Sequence, residues 1–302
     1  VQEESPTGSK PRYALLLNPE AGGGRARKQL PAVEAALRRA NARYELITTR
    51  SLSHGCEQAA GAAAAGAIPV VISGDGLIGK IGGLLSGSEV PLGVIPGGRG
   101  NDFARVIGVP TDPEEAVAVL LAGFRRRIDV GEVNGQRFLG IASCGFDSDA
   151  NRIANETRLI RGPLVYAYAA LRALVQWKPA QFRLVEDGTQ RSFRGYSVAV
   201  ANSKAYGGGM LIAPDAELDD GLLDVITTSE VSKLTFLRGL PEIFKGAHVD
   251  RPEVSSSRAA SVRIEADRPF AVYADGERLT DLPATVELRA ASLSVIAPAE
   301  AP

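Results

Sequence analysis

Val70-Val71-Ile72-Ser73-Gly74-Asp75-Gly76-Leu77-Ile78-Gly79-Lys80-Ile81-Gly82-Gly83-Leu84-Leu85 runs from a branched apolar triplet through a glycine-rich turn into a helix-like stretch. Similar apolar runs stand on either side, at 13–17, 44–48 and 92–95, each closed by Gly, Pro, Asn or Ser. Between them lie Ala-, Leu- and Arg-rich stretches at 25–40, 57–65 and 102–107. Continuous apolar runs are expected of strands buried on both faces of a parallel sheet. Strand and helix alternating at this spacing predict stacked βαβ units. The first domain is therefore read as a doubly wound α/β domain over 11–128.

The rhythm changes after Gly123. Short runs at 127–132, 137–143, 182–185, 196–201, 222–226, 261–265, 270–273 and 285–296 alternate apolar with polar residues, as in Ser261-Val-Arg-Ile-Glu. That pattern predicts a mainly antiparallel β-sandwich over 129–298. Helical insertions are expected near 150–177 and 231–247. No linker or repeat separates the halves, so the two domains are expected to share a cleft.

The 302 residues are 45% apolar and 23% charged, ordinary values for a globular chain. Net charge is −1, which gives no overall field towards nucleic acid. Cys56 and Cys144 cannot make a disulfide framework, so a reducing cytoplasm is the expected compartment. His54 and His248 are the only histidines, which argues against His-centred triads and His-rich metal sites. The first ten residues, VQEESPTGSK, lack the apolar core of a signal peptide and read as a disordered leader. The longest weakly polar stretch, 58–72, is broken by Pro69 and too short to span a bilayer.

Glycine-rich turns fall at the carboxyl ends of the expected strands, where open α/β sheets bind ligands. The first is Asn18-Pro19-Glu20-Ala21-Gly22-Gly23-Gly24; backbone N–H groups there can approach an anion, and the following helix adds its dipole. A tight βα turn is the plainer reading. The second, Gly74-Asp75-Gly76-Leu77-Ile78-Gly79, matches G-x-G-x-x-G formally. It follows the third strand rather than the first, and position 99 holds Arg instead of an acid, so a dinucleotide fingerprint does not fit. Asp75 suits a group that orders Mg²⁺ and phosphate, or one that caps a helix. The third turn, 96–105, places Asp102 and Arg105 three apart, where they can pair on one helical face. Gly79-Lys80 is followed by Ile81, which excludes a P-loop.

Asn-Pro-x-x-Gly at 18–22, Gly-Asp-Gly at 74–76 and Pro-Gly-Gly-x-x-Asn-Asp-x-Ala-Arg at 96–105 are followed by Gly145-Phe146-Asp147. Gly207-Gly208-Gly209-Met210, Pro214, Asp219-Asp220-Gly221 and Asp275-Gly276-Glu277 complete the series. In this order the motifs resemble the diacylglycerol kinase catalytic-domain family, which includes bacterial soluble diacylglycerol kinases and sphingosine and ceramide kinases. The resemblance implies a Mg²⁺-dependent kinase moving the γ-phosphoryl group of ATP onto a lipid hydroxyl, most simply diacylglycerol. It places Asn18, Pro19, Glu20, Ala21, Gly22, Thr49, Gly74, Asp75, Gly76, Leu77, Ile78, Gly79, Lys80 and Arg99 around ATP. It makes Asp75, Asp102, Arg105 and Asp129 a polar network that orders Mg²⁺, and Glu277 the proton acceptor for the lipid hydroxyl. Glu217, Asp220 and Leu222 correspond to a structural Mg²⁺ site, Glu217 and Leu222 through their carbonyls. Read without the family, Asp-Gly-Glu is a hairpin turn.

Four positions depart from the family pattern. Ser73 stands in place of a Gly, Leu77 in place of a Thr, Lys80 in place of a Glu, and Arg99 where a Thr is common. They suit either an altered ATP site, in which the cations neutralise the triphosphate, or a weakened kinase that only binds lipid or nucleotide. A sphingoid or other lipid acceptor is the alternative within the enzyme class. Over 152–177, Leu159-Ile160, Leu164-Val165, Tyr168, Leu171 and Leu174-Val175 recur at helical spacing with basic flanks. Such a stripe serves either a reversible contact with anionic membranes or a helix packed on the sandwich. A homodimer is compatible with this reading.

Overall fold

The computed structural model describes residues 10–146, 148, 149, 153, 172–175 and 177–299. Most of the leader, Asp147 and most of the 152–177 stripe lie outside the described residues. The chain divides into two units. One runs to Arg126 and takes back the chain from Leu293; the other is Arg127–Ser292.

In the first unit, β1 (Arg12–Leu17), β2 (Arg43–Thr48), β3 (Ile68–Ser73) and β4 (Gly93–Pro96) form a parallel sheet in the order β2-β1-β3-β4. Five helices accompany it: α1 (Arg25–Arg39), α2 (Leu52–Ala64), α3 (Asp75–Leu85), α4 (Asp102–Val106) and α5 (Pro113–Ala122). The expected βαβ alternation is present. β1, β3 and β4 are buried along almost their whole length. β2 is not the doubly buried strand that its apolar run suggested: it is the edge, and Arg43, Glu45 and Leu46 are exposed. Charges on an edge strand discourage pairing with another chain. Helix starts are capped locally. Ser51 accepts the His54 N–H, and Asp112, followed by Pro113 at the first helical position, accepts those of Glu114 and Glu115.

Among the described residues the second unit builds on an eleven-stranded sheet with antiparallel pairings. Its strands are β5 (Arg125–Val133), β6 (Gln136–Phe138), β7 (Ile141–Gly145), β8 (Ala180–Glu186), β9 (Thr189–Ala201), β12 (Leu223–Ser229), β13 (Val254–Ala259), β14 (Ser261–Ala266), β15 (Ala271–Ala274), β16 (Glu277–Asp281) and β17 (Ala284–Ile296). The short pair β10 (Ala205–Tyr206) and β11 (Met210–Leu211) stands apart. β9 changes partners at Gly195: its first half lies on β8, and its second half lies between β7 and β12. One long strand thus serves two pairings, as strands do where a sheet turns a corner. The core centres on Phe138, Phe146, Trp177, Phe182, Tyr196 and Phe270. Tyr196 stacks on Phe236 with ring centroids 4.3 Å apart, and Phe146 meets Trp177 edge-on at 5.6 Å.

The helix expected near 231–247 is α6 (Lys233–Gly239), continued by a 3₁₀ segment, Leu240–Lys245. β17 begins in the second unit and ends in the first, where Ile296 N–H donates to the Leu92 carbonyl at 2.9 Å.

Candidate functional site

The order β2-β1-β3-β4 reverses direction between β1 and β3, which defines the switch-point crevice of the first unit. Three glycine loops meet there. Gly22, Gly23 and Gly24 all have positive φ, at 61°, 69° and 89°, a run that side chains adopt poorly. A Cβ at Gly22 would stand 2.5 Å from the Gly97 carbonyl oxygen, and one at Gly74 would stand 3.1 Å from Gly98 Cα. The glycines therefore bring backbone against backbone. Gly23 and Gly24 face open space. Their N–H groups close the turn on Glu20 and Ala21, so the donors still free in that loop are those opening α1 after Gly24. Asn18, Pro19, Glu20 and Ala21 form the start of this turn, and Asn18 N–H donates to the Ile72 carbonyl at 3.1 Å, tying β1 to β3.

Asp75 opens α3, but its carboxylate caps a different helix: Oδ1 accepts the Phe103 N–H of α4 at 3.0 Å. Asp102 and Arg105 pair at 3.1 Å, and Arg105 also donates to the Gly100 carbonyl. Buried Asn101 holds Gly98 from both sides, accepting its N–H at 2.7 Å and donating to its carbonyl at 3.2 Å. Sequence reasoning did not give Asn101 a role, although its place in the Pro-Gly-Gly-x-x-Asn motif was the available signal.

Gly76 to Lys80 form the first turns of α3 with Leu77, Ile78 and Gly79 buried. Leu77 faces α2, where a Cβ on Gly55 would stand 2.8 Å from its Cδ1. The Leu that replaces the family's Thr is thus accommodated by a glycine on the neighbouring helix. Thr49 is buried and donates its hydroxyl to the Leu17 carbonyl at 3.1 Å. Arg99 is exposed, and Lys80 is half-buried near Cys56.

In the second unit, Asp275 and Gly276 form a two-residue turn with φ of 50° and 83° between β15 and β16, with Ala274 opposite Glu277. The hairpin reading of Asp-Gly-Glu is thus met in the backbone. The Asp275 carboxylate accepts the N–H groups of Leu139 and Gly140 at 2.8 and 2.9 Å. Buried Asn202 donates to the Leu139 and Asp129 carbonyls, both at 3.0 Å. Asp129, also buried, accepts from Ala291 at 2.6 Å and from Gly221 at 2.8 Å. The side chain of half-buried Glu277 makes no hydrogen bond or ion pair among the described residues, so its carboxylate is available.

The 215–224 loop gathers acidic residues. Asp220 Oδ1 accepts the Leu222 N–H at 3.0 Å, and its other oxygen meets the guanidinium of Arg258. Glu217 is exposed. Burial beside Asp215 and Glu217 pushes the Asp224 carboxyl up to about 6, and its Oδ2 has no hydrogen-bond partner. Among the described residues no three His, Cys, Asp or Glu side chains converge on a metal position. An unpartnered buried oxygen within an acidic loop still fits a cation held partly by carbonyl groups.

With this geometry in hand, similarity is informative. Residues 12–133 match the diacylglycerol kinase catalytic domain, and residues 140–297 match the YegS C-terminal NAD kinase beta sandwich-like domain. A diacylglycerol kinase of Mycobacterium tuberculosis is 38% identical over 295 residues, covering 95% of each chain. One from Bacillus subtilis is 30% identical, covering 88% of this chain and 89% of the relative. The crystal structure of a diacylglycerol kinase from Bacillus anthracis superposes with a TM-score of 0.76 at 22% identity, over 98% of this chain and all of that one. The domain matches and these relatives define a lipid kinase. The chain belongs to the diacylglycerol kinase family. Among the described residues no helix is long and apolar enough to cross a membrane.

Proposed function

We propose that this lipid kinase transfers the γ-phosphoryl group of ATP to the free hydroxyl of diacylglycerol, giving phosphatidic acid and ADP. The observation that carries the reading is Glu277, a carboxylate without a partner, presented by a tight turn whose Asp275 is anchored to the backbone. Glu277 takes the hydroxyl proton as the lipid oxygen bonds to the γ-phosphorus. The bond from that phosphorus to the β–γ bridging oxygen breaks, and ADP leaves with the electron pair. Phosphoryl transfer depends on positioning and charge neutralisation, so the protein needs little covalent chemistry.

In this reading the loops at 18–24, 74–80 and 97–99 bind ATP in the first unit, with the opening N–H groups of α1 facing phosphate. Asp75, with one oxygen engaged on α4, would offer the other to Mg²⁺, which would neutralise phosphate charge, and Asp102 with Arg105 fixes the α4 side of that loop. Asp220, whose second oxygen meets Arg258 in this structure, would on turning from that arginine hold a second Mg²⁺ with the carbonyls of Glu217 and Leu222, and the ion would neutralise the acidic loop. A cleft of about 270 Å³, lined in part by Phe270, Ala271 and Tyr273 on the approach to the Asp275 turn, is the acceptor pocket in this account.

The test is transfer of labelled γ-phosphate from Mg·ATP to a panel of diacylglycerol, ceramide, sphingoid bases and glycolipids in mixed micelles. Labelled phosphatidic acid alone supports the reading. Labelling of another lipid replaces the acceptor, and labelling of none with retained ATP binding contradicts turnover. For the second Mg²⁺, thermal stabilisation by MgCl₂ is expected in the native protein and absent from Asp220→Asn.

A further inference from the structure

Among the described residues, the three most exposed large apolar side chains are Val175 at 76%, Leu234 at 57% and Phe244 at 57%. Val175 lies beside the start of α6, because Lys233 donates its ammonium to the Val175 carbonyl at 2.8 Å. Leu234 and Phe244 lie on one continuous helical run, since Leu240 ends α6 with helical angles and starts the 3₁₀ segment. Six α-helical steps of about 100° and four 3₁₀ steps of about 120° come to about three full turns. Leu234 and Phe244 therefore point the same way, and exposed Pro241 lies between them on the same face. The opposite face is the one that packs inward: Phe236 lies on the aromatic core and Ile243 on the smaller apolar cluster.

The charges around this face are one-sided. Lys233, Arg238 and Lys245 are exposed, and Arg238 and Lys245 make no ion pair among the described residues. The one acid in the run, Glu242, is taken up by Arg251 at 3.2 Å. A ridge of exposed apolar side chains flanked by unpaired cations matches the boundary of an anionic bilayer, where acyl chains and negative headgroups lie within a few ångströms.

We propose that the Leu234–Pro241–Phe244 ridge, with Val175 beside it, is a membrane-docking edge that inserts shallowly among anionic phospholipids. The proposal deepens the reading above, because a kinase whose acceptor is a membrane lipid must dwell at the surface that holds it. It centres the contact on α6 and the 3₁₀ segment and shares only Val175 with the 152–177 stripe.

The experiment is co-sedimentation of the full chain with vesicles of phosphatidylcholine, with and without phosphatidylglycerol. Binding to the anionic vesicles is expected, weakened by salt. The double variant Leu234→Ser/Phe244→Ser should lose about tenfold or more of that affinity. Arg238→Gln/Lys245→Gln should lose roughly fivefold per cation and most of its salt sensitivity. Both variants should phosphorylate a water-soluble short-chain acceptor as the native protein does. Native protein that ignores anionic vesicles, or variants that bind them equally well, would overturn the proposal. So would a native dimer that becomes monomeric in Leu234→Ser/Phe244→Ser, which would assign the ridge to a second copy. If the native protein binds and the variants do not, yet no lipid is phosphorylated, the docking edge stands and the kinase reading fails.

Discussion

Asp275 and Gly140 fit together without slack: Oδ1 accepts the Gly140 N–H at 2.9 Å, and a Cβ at 140 would stand 2.5 Å from the same oxygen. The turn that delivers Glu277 is thereby fixed to the bend between β6 and β7. Asp275 is a positioning residue. Gly140→Ala leaves every ionisable group intact but displaces that carboxylate, so kcat should fall while KM for ATP holds. Asp275→Asn should act in the same direction and also cost about 1–3 kcal/mol of stability, because one backbone N–H loses its charged acceptor. Steady-state kinetics with urea titration checks both. Unchanged kcat in Gly140→Ala would detach the clamp from catalysis.

Asp129 joins the acidic loop at Gly221 to β17 at Ala291, and its carbonyl meets Asn202. Asp129→Ala removes the acceptor of two part-buried N–H groups, those of Gly221 and Ala291, and should destabilise the protein by about 1–3 kcal/mol. Asn202→Ala, which strands the Leu139 and Asp129 carbonyls, should cost about 1–3 kcal/mol. Chemical denaturation measures both; losses under half a kilocalorie would mean that the hub has little structural weight.

Leu77 is packed towards Gly55, so restoring the family's Thr removes apolar volume from a helix–helix contact. Leu77→Thr should lower stability by about 2–3 kcal/mol without raising kcat. A rise in kcat would show that position 77 reaches the nucleotide after all.

The Asp224 carboxyl titrates near 6 rather than at its ordinary value of 3.8, through burial and the neighbouring Asp215 and Glu217. Its folded-state pKa is raised, so the folded protein holds the proton more tightly between pH 3.8 and about 6, and stability falls as pH rises across that window. Asp224→Asn removes the effect. In EDTA, the Tm advantage of the variant should be absent near pH 4, grow to about pH 6 and stay level above it. A pH-independent difference would show that Asp224 does not carry the titration.

Much of this was legible in the sequence for physical reasons that act locally. The runs that became β1, β3 and β4 are apolar throughout because both faces are covered. The turns that follow β1, β3 and β4 announce themselves through glycine. β2 was misread because Tyr44, Leu46 and Ile47 look like a buried strand, and only the sheet order puts that strand at the edge. The 3₁₀ use of the Gly23 and Gly24 N–H groups could not be read from glycine content, since the same residues also make open cradles. Asn101, Asn202 and Asp275 act through contacts to backbone, and the Asn202 and Asp275 contacts lie far away in sequence. Those contacts leave no periodic signal. The docking ridge depends on a change from α to 3₁₀ at Leu240, which alters which residues share a face.

The central claim is that Glu277 is the proton acceptor in phosphoryl transfer to diacylglycerol, and Glu277→Gln tests it most directly. The variant keeps size and shape but cannot take the proton. Single-turnover transfer from labelled Mg·ATP should fall by about 100-fold or more, with ATP binding unchanged and the deficit reduced at high pH. Transfer at the native rate by Glu277→Gln would contradict the account.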